Sequence, residues 1–310
     1  MPAVSIITGT YNSAPFLADY LASLASQTWR DFEAVIVDDG STDSTVAMLE
    51  AAAASDPRLR MIRKLPGGNP AASRQAAVAA ATGEWLAFLD HDDVWVPQKL
   101  ELQLKAMARH PDAVMGHAGR FVFSGAPDQR RQQRYDLGGM PVDCRPARHL
   151  YDGNVVTFSS CLMRRATFQA LGGLDPDPAL RGVDDYDLWL RLPPGATIVH
   201  IPWELAGWRD HGSNLGHDRD RMARGLRAIH GRLVQRGAPP EAIAALDFKA
   251  TKSAGIVAIP DNPSIALSAL GHAFALRPSA KLAAIMAFAA LNCALPRSVR
   301  AALLGIMHKR

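Results

Sequence analysis

Two hydrophobic periods alternate along the first hundred residues. Val4–Thr8 is a short, largely β-branched apolar run, the mark of a buried strand. Ser13-Ala-Pro15 then opens a helix, with proline near the first helical position. Phe16, Leu17, Tyr20, Leu21 and Leu24 recur at helical spacing and give that helix one apolar face. Ala34–Val37 is a second buried strand and ends in Asp38-Asp39-Gly40. Asp43 can cap the next helix, which runs to about Ala54. Leu59–Ile62 predicts a third strand, and Ala71–Ala81 a third helix stopped by Thr82-Gly83. Trp85–Leu89 is a fourth strand and runs straight into Asp90-His91-Asp92-Asp93. This alternation predicts an α/β fold, a parallel sheet covered by helices.

A helix over Pro97–Arg109 follows, and from Ala113 the pattern changes to short strands and loops. Gln129–Arg134 is polar and basic and predicts a mobile loop. Ala166–Leu171 predicts a short helix ended by Gly172-Gly173, and Val183–Leu192 a helix led by acids. Beyond about residue 218 the chain is helical and alanine-rich, with breaks at Gly237-Ala-Pro-Pro240, Pro260 and Pro278. The expected division is therefore a catalytic domain over 1–217 and a helical C-terminal extension over 218–310.

Leu282–Leu295 is the most apolar late stretch, too short to span a bilayer. In Arg297–Arg310, Val299, Leu303, Ile306 and Met307 share one helical face, with Arg297, Arg300, Lys309 and Arg310 at its ends. No acid follows Asp261. That pattern suits peripheral contact with an anionic membrane surface. It suits equally a helix packed on the catalytic domain or in an oligomer.

Composition narrows the class. With 310 residues, 48% of them hydrophobic and 21% charged, the chain can bury a sizeable core and is not disordered. A net charge of +4 is a mild excess. It fits a solvated surface or attraction to phosphates or a membrane face, and no nucleic-acid partner is expected. Cys144, Cys161 and Cys293 are odd in number and widely spaced, which argues against disulfides or a zinc site and for a reducing, cytoplasmic setting. The N-terminus reads as an immediate strand and not a signal peptide.

The acids carry the candidate chemistry. Open α/β sheets bind ligands outside the carboxyl ends of their strands, where both Asp38-Asp39 and Asp90-His91-Asp92-Asp93 fall. Alternate carboxylates past a buried strand can hold a divalent ion and a ribose hydroxyl, and magnesium or manganese suits such hard oxygen donors. Acids ahead of the Pro97 helix also serve as a simple N-cap. A strand-end carboxylate such as Asp39 can accept from the N–H of a uracil-type base. Asp184-Asp185 opens a helix whose dipole favours acids, and a fixed carboxylate there can also deprotonate an acceptor hydroxyl.

The order of these motifs resembles glycosyltransferase family 2. It runs Ser5-Ile-Ile-Thr-Gly-Thr-Tyr-Asn12, Leu24-Ala-Ser-Gln-Thr28, Val37-Asp-Asp-Gly-Ser-Thr-Asp43, Gly83-Glu-Trp-Leu-Ala-Phe-Leu-Asp-His-Asp-Asp93, Gly172-Gly-Leu-Asp175 and Asp184-Asp-Tyr-Asp-Leu-Trp-Leu-Arg191. The resemblance covers roughly residues 3 to 215. It implies a GT-A fold with a Rossmann-like sheet, a nucleoside-diphosphate sugar donor such as a UDP-sugar, a divalent Mn2+ or Mg2+ ion, and inversion at the anomeric carbon. By match to the family motifs, Thr10 and Tyr11 line the nucleotide pocket, Asp39 binds the base and Arg74 lies near the nucleotide. Asp90 contacts ribose or metal, His91 beside it contacts the nucleotide-sugar, and Asp92 binds the metal. Asp185 matches the catalytic base, preceded here by Asp184 where the family has a longer acid. Trp208-Arg209-Asp-His211 resembles a late Arg-x-His element, which gives Arg209 to phosphate charge and His211 to the metal or diphosphate. The sequence departs from the family at Gly9, usually Pro, and at Gln75, usually Asn.

The implied acceptor is a cell-surface polysaccharide or lipid-linked oligosaccharide. A nucleotidyltransferase is the first alternative, but Thr8–Pro15 has one glycine and no Lys or Arg with which to hold a triphosphate. A non-catalytic sugar-nucleotide or glycan-binding module is the second, and it has no need of Asp92 or Asp185.

Overall fold

The computed structural model describes residues 2–127, 135 and 140–293. The expected loop at Gln129–Arg134 and the tail helix at Arg297–Arg310 lie outside the described residues.

Strand β1 (Val4–Thr10) is buried along almost its whole length, so helices cover both faces of the sheet around it. It pairs in parallel with β2 (Phe32–Asp38) and β4 (Trp85–Phe88), and β2 pairs in parallel with β3 (Leu59–Arg63). Between them run α1 (Ala14–Ala25), α2 (Thr45–Ser55) and α3 (Pro70–Ala80). Helix α1 buries Leu17, Tyr20 and Leu24, the apolar face that its spacing predicts. The Thr8 hydroxyl lies 2.8 Å from the Tyr20 hydroxyl and donates to the Leu89 carbonyl at 2.8 Å, which ties β1 to the end of β4.

Past β4 come the short β5 (Val94–Trp95) and α4 (Lys99–Arg109), then β6 (Ala113–Phe123), β7 (Asp143–Pro146), β8 (Leu162–Arg164), α5 (Arg165–Ala170), α6 (Asp184–Trp189) and β9 (Thr197–Arg209). Among the described residues the sheet runs β3-β2-β1-β4-β8-β6-β9-β5, with β7 on β9.

Two expectations are corrected here. The region after Ala113 is not built only of short strands, because β6 has 11 residues and β9 has 13. Their parallel pairing is interrupted by register shifts around Ala118–Arg120, opposite Ile201–Ala206. A Cβ on Gly119 would stand 2.9 Å from the Trp203 carbonyl, and Pro202 falls inside the same irregularity. The bulge breaks the period-two pattern that would have revealed two long strands. The acid-led helix is also shorter than Val183–Leu192, although Leu188, Trp189 and Leu192 are buried.

Arg191 explains why that helix is followed by a fixed corner. Its guanidinium reaches the carboxylate of Asp187 at 3.1 Å and donates to the carbonyls of Leu171 at 2.5 Å and Gly173 at 2.6 Å. Gly173 has φ +71, the left-handed conformation that favours glycine, and the end of the Gln75 side chain packs where a Cβ would stand.

The chain divides into two compact units, Met1–Pro178 with Asp184–Gly212, and Ala179–Val183 with Ser213–Arg310. The described part of the second unit holds α7 (Arg219–Gln235), α8 (Pro240–Ala258), α9 (Pro263–Leu276) and α10 (Ala280–Asn292). The gaps between these helices fall at the Gly237–Pro240, Pro260 and Pro278 breaks. Ile259, Ala266, Leu270, Ala273, Leu282 and Ala289 form its own core cluster. Among the described residues, no helix is long and apolar enough to cross a membrane.

Replacing Arg191 by Met leaves the fully buried Asp187 carboxylate without this counter-charge. Thermal unfolding should register a loss of about 3 kcal/mol, the lower end for breaking a buried pair by removing one partner. An unchanged melting temperature would show that the ion pair does not hold the glycine corner.

Candidate active site

The loops after β1 and β2 are stitched together. Asp39 N–H donates to the Thr10 carbonyl at 2.8 Å, Asn12 N–H to the Ser41 hydroxyl at 2.9 Å, and Thr42 N–H to the Asn12 side-chain oxygen at 2.8 Å. Asn12 sits at φ +48, a left-handed conformation that asparagine tolerates and that these contacts fix. The Asp43 carboxylate accepts from Thr45 N–H at 2.9 Å and from Ala14 N–H at 3.2 Å, so it serves the starts of α2 and α1 together.

The two acids at the end of β2 therefore differ in kind. Asp38 closes its own turn, accepting from the N–H groups of Gly40 at 3.1 Å and Ser41 at 3.0 Å and from the Ser41 hydroxyl. Asp39 is buried as well, but its oxygen Oδ1 takes the Lys64 ammonium and the Gly67 N–H at 2.9 Å. Thr10 is buried with its hydroxyl donated to Ser13 at 2.6 Å, whereas Tyr11 is 53% exposed.

The second group lies past β4, where Asp93 N–H bonds to the Asp90 carbonyl at 3.1 Å and closes a turn. Oxygens of Asp90, Asp92 and Asp93 converge within 4.8 Å. Asp93 is buried and already committed: it accepts the Ser159 hydroxyl at 2.5 Å and the Arg209 N–H at 2.9 Å. Burial, followed by the charges of Asp92 and Asp90, pushes its carboxyl well above the usual range. Asp92 behaves oppositely. Burial works against its charge, but His91, the hydrogen bond with His211 and its own backbone more than offset that, and the carboxyl stays below the usual range.

His211 Nε2 lies 2.9 Å from Asp92 Oδ2, and its ring stacks on Phe16 at 4.8 Å. His91 is turned away from this contact, with Nδ1 3.2 Å from the Gly9 carbonyl. A divalent ion fits this donor set. Asp90 and Asp92 offer hard carboxylate oxygens, His211 stands beside Asp92, and such ions keep few protein ligands and take the rest from phosphate or water.

The third group joins the first two. Arg74 on α3 donates to Asp90 Oδ1 at 2.6 Å and to Asp184 Oδ2 at 3.1 Å, with its guanidinium 4.4 Å above the Phe158 ring. Burial disfavours its charge, but Asp90 and Asp184 outweigh that and raise its pKa. Asp184 is thus ion-paired and buried. Asp185 is less buried and is held differently: Oδ1 accepts Tyr186 N–H at 2.6 Å and Oδ2 accepts the Asn154 amide at 3.1 Å. Burial, then the adjacent charge of Asp184, pushes the Asp185 carboxyl up to about 7. Of the two acids, Asp184 is committed to Arg74, whereas Asp185 is held by an amide and a backbone N–H.

The family description "Glycosyl transferase family 2" matches residues 5–172. The chain belongs to this family. A curated relative, the putative teichuronic acid biosynthesis glycosyltransferase TuaG of Bacillus subtilis (strain 168), is 38% identical over 231 residues, 72% of this chain and 85% of TuaG. The matching region spans 66%, 22% and 36% of three other curated relatives. Two solved structures are similar in fold. S. aureus TarS 1-349 in complex with UDP-GlcNAc matches with TM-score 0.63 and 16% identity, over 93% of this chain and 87% of that one. The mannosyltransferase PcManGT of Pyrobaculum calidifontis in complex with GDP-Man and Mn2+ matches with TM-score 0.62 and 23% identity, over 96% and 82%. The fold of this family 2 chain is GT-A.

Arg209 is placed differently from the reading that gave it to phosphate. It is buried, and its guanidinium donates to the Asp92 carbonyl at 2.8 Å, to the Gly125 carbonyl and to the Asp19 carboxylate at 2.9 Å. With two carbonyls, a carboxylate and the rings of Phe16 and Phe123 around its guanidinium, Arg209 braces the Asp92–Asp93 turn. Arg74 is likewise drawn inward, between the two acidic groups. Lys64, Asn154, Phe158 and Ser159 were not singled out from the sequence. They lie in loops without a periodic pattern, and only the fold brings them to these acids.

Arg209→Met should lower the melting temperature, with a loss of about 1–3 kcal/mol for backbone carbonyls left without their charged donor, while nucleotide affinity of the folded protein stays the same. Calorimetric titration at a temperature where the variant is folded separates the two effects. Weakened UDP binding at unchanged stability would return Arg209 to the phosphate.

Proposed function

We propose that this family 2 chain is an inverting, metal-dependent glycosyltransferase. It moves a sugar from a nucleoside-diphosphate donor, a UDP-sugar, to a hydroxyl of a cell-surface polysaccharide or lipid-linked oligosaccharide. The observation that carries this reading is the double pairing of Arg74, with Asp90 of the Asp90–Asp92–Asp93 group and with Asp184, the neighbour of Asp185. It sets a candidate metal group at one end and an acid with a raised pKa at the other.

The roles divide by what each group has left to offer. Asp39 is an acceptor and Lys64 a donor side by side, the complement of the adjoining N–H and C=O on the edge of a uracil. Tyr11, exposed next to Thr10, is available to the nucleoside. Asp90, Asp92 and His211 would hold Mn2+ or Mg2+, which neutralises charge developing on the departing diphosphate. The acceptor hydroxyl approaches the anomeric carbon from the side opposite the nucleotide and gives its proton to Asp185. The new glycosidic bond forms as the bond to the diphosphate oxygen breaks, and no sugar becomes attached to the protein. The name of TuaG, with teichuronic acid as its pathway, supports an envelope polysaccharide as the acceptor class. The nucleotidyltransferase alternative gains nothing here, since the β1–α1 loop offers no basic side chain for a third phosphate.

Incubating the purified protein with a panel of UDP-, GDP- and TDP-sugars and manganese, and measuring the free nucleoside diphosphate, tests the class. Release from a UDP-sugar is expected, abolished by chelator and by Asp92→Ala, with the fold intact because that acid is partly exposed. Metal-independent release at the wild-type rate by Asp92→Ala would remove the metal assignment.

The base has its own test. A carboxyl with a pKa of about 7 is protonated below that pH and cannot take a proton. On a pH profile, kcat/KM should therefore rise about tenfold per unit below pH 7 and level off above it. Asp185→Asn should cost at least about two orders of magnitude in kcat with little change in UDP affinity, and Asp184→Asn should cost less. The reverse ranking would move the base to Asp184.

A further inference from the structure

The segment from Asn154 to Ser159 touches Asp90, Asp93, Arg74 and Asp185. At its far end it is buried and fixed. The Ser159 hydroxyl donates to Asp93 at 2.5 Å and accepts Asp90 N–H at 3.1 Å, and the Ser159 carbonyl accepts the Trp95 indole N–H at 2.6 Å. In the middle, Phe158 lies beneath the Arg74 guanidinium and against Phe88, with ring centroids 4.6 Å apart. Val156 is buried. At its near end the segment emerges: Asn154 is exposed, Val155 is 55% exposed, and a Cβ on Gly153 would meet open space. From this emerging end the Asn154 amide reaches Oδ2 of Asp185 at 3.1 Å.

We propose that Asn154 is a positioning residue for the transfer reaction, fixing the orientation of the Asp185 carboxylate toward the acceptor from a strap anchored on the Asp90–Asp93 turn. The inference rests on the reading of Asp185 as the base.

The geometry requires such a group. Asp185 sits at the first turn of a six-residue helix, and among the described residues its other oxygen is held by the N–H of the next residue, at 2.6 Å. One local hydrogen bond leaves the carboxylate free to turn about its own side-chain torsions. A second donor from a separate, anchored segment removes that freedom, and a base held in place is worth far more than one that must be ordered at each turnover. The groups facing Asp185 are Asp184, which disfavours its charge, Arg74, which favours it, the Asn154 amide, and the buried Cys161 thiol and Tyr186 phenol. The Tyr186 hydroxyl is itself committed to the Leu150 carbonyl at 2.9 Å. Of these, Asn154 alone both donates to the carboxylate from another segment and stands in solvent. Because its N–H stabilises the charged form, losing it should raise the pH at which the base becomes active.

The test compares full-length wild type with Asn154→Ala, Asn154→Gln and Asp185→Asn, using a UDP-sugar that the wild type turns over. For Asn154→Ala, kcat/KM should fall roughly ten- to a hundredfold, the range for a hydrogen bond to a charged group. Its pH midpoint should rise above that of wild type, while UDP affinity and melting temperature stay the same. Asn154→Gln, which keeps the donor, should recover part of the loss and return the midpoint toward wild type. A midpoint unmoved in Asn154→Ala would overturn the proposal, and so would equal losses of rate, UDP affinity and stability, the mark of a structural residue. If Asp185→Asn keeps the wild-type rate, the base assignment itself falls. If Asp185→Asn is inactive and Asn154→Ala is normal, only the role of Asn154 falls.

Discussion

The Arg74 guanidinium is the contact on which the rest of the site depends. Asp90, Asp92, Asp93, Asp184 and Asp185 are gathered in one region, and several are buried or partly buried. Carboxylates taken from water cost several kcal/mol each unless paired, and like charges drive each other toward protonation. Arg74 answers both groups at once, with one N–H on Asp90, another on Asp184 and an aromatic ring below. A lysine could not, since it has no planar fork to span two acids. Helix α3 carries Arg74 there because Asn69 fixes its start, accepting from Ala71 N–H at 3.0 Å while its amide donates to the Pro176 carbonyl. The next residue, Gln75, packs on Gly173. A single helix end thus locates the arginine and braces the corner that leads to the second acidic pair.

With Arg74 in place, the other cations sort themselves. Arg209 is spent on Asp19 and on the carbonyls that hold the Asp92–Asp93 turn, while Lys64 stands against Asp39. Arg74 and Arg209 are therefore directed inward, and in the proposed reaction the charge on the departing diphosphate would be neutralised from another source. This is a physical reason for a divalent ion at Asp90 and Asp92 that is separate from the resemblance to other proteins. It also fixes the polarity of the site before any ligand arrives, so little reorganisation is needed when charge develops.

The sequence made the skeleton legible wherever burial imposes a period. Val4–Thr10, Phe32–Asp38 and Trp85–Phe88 are buried on both faces, so continuous apolar runs sufficed to place them, and with them the acids at their ends. The two long strands β6 and β9 were obscured by a bulge, and the late Arg-x-His element was therefore read without knowing that a strand delivers Arg209 inward. Side-chain direction was the other blind spot. Lys99 opens α4, where a lysine normally faces water, yet it is fully buried with its ammonium 3.6 Å over the Trp95 ring, and burial lowers its pKa well below the ordinary value. Nothing in the local pattern distinguishes that lysine from a solvated one.

The run Asp90-His91-Asp92-Asp93 shows why motif and mechanism are different statements. As letters, the acids are equivalent. In the fold they occupy a turn closed by the Asp93 N–H on the Asp90 carbonyl, and a turn cannot present all its side chains to one side. Asp93 points into the protein, where a serine hydroxyl and a backbone N–H use both its oxygens. His91 is placed against the Gly9 carbonyl of β1. What remains for a ligand is Asp92 with His211 beside it, and Asp90 shared with Arg74. Asp93 is therefore the anchor that makes Asp92 usable. A substitution at Asp93 would disable the site as surely as one at Asp92, but by releasing the turn and the end of β9. Loss of activity alone cannot assign a ligand in this motif; what separates the two is whether the turn survives the substitution.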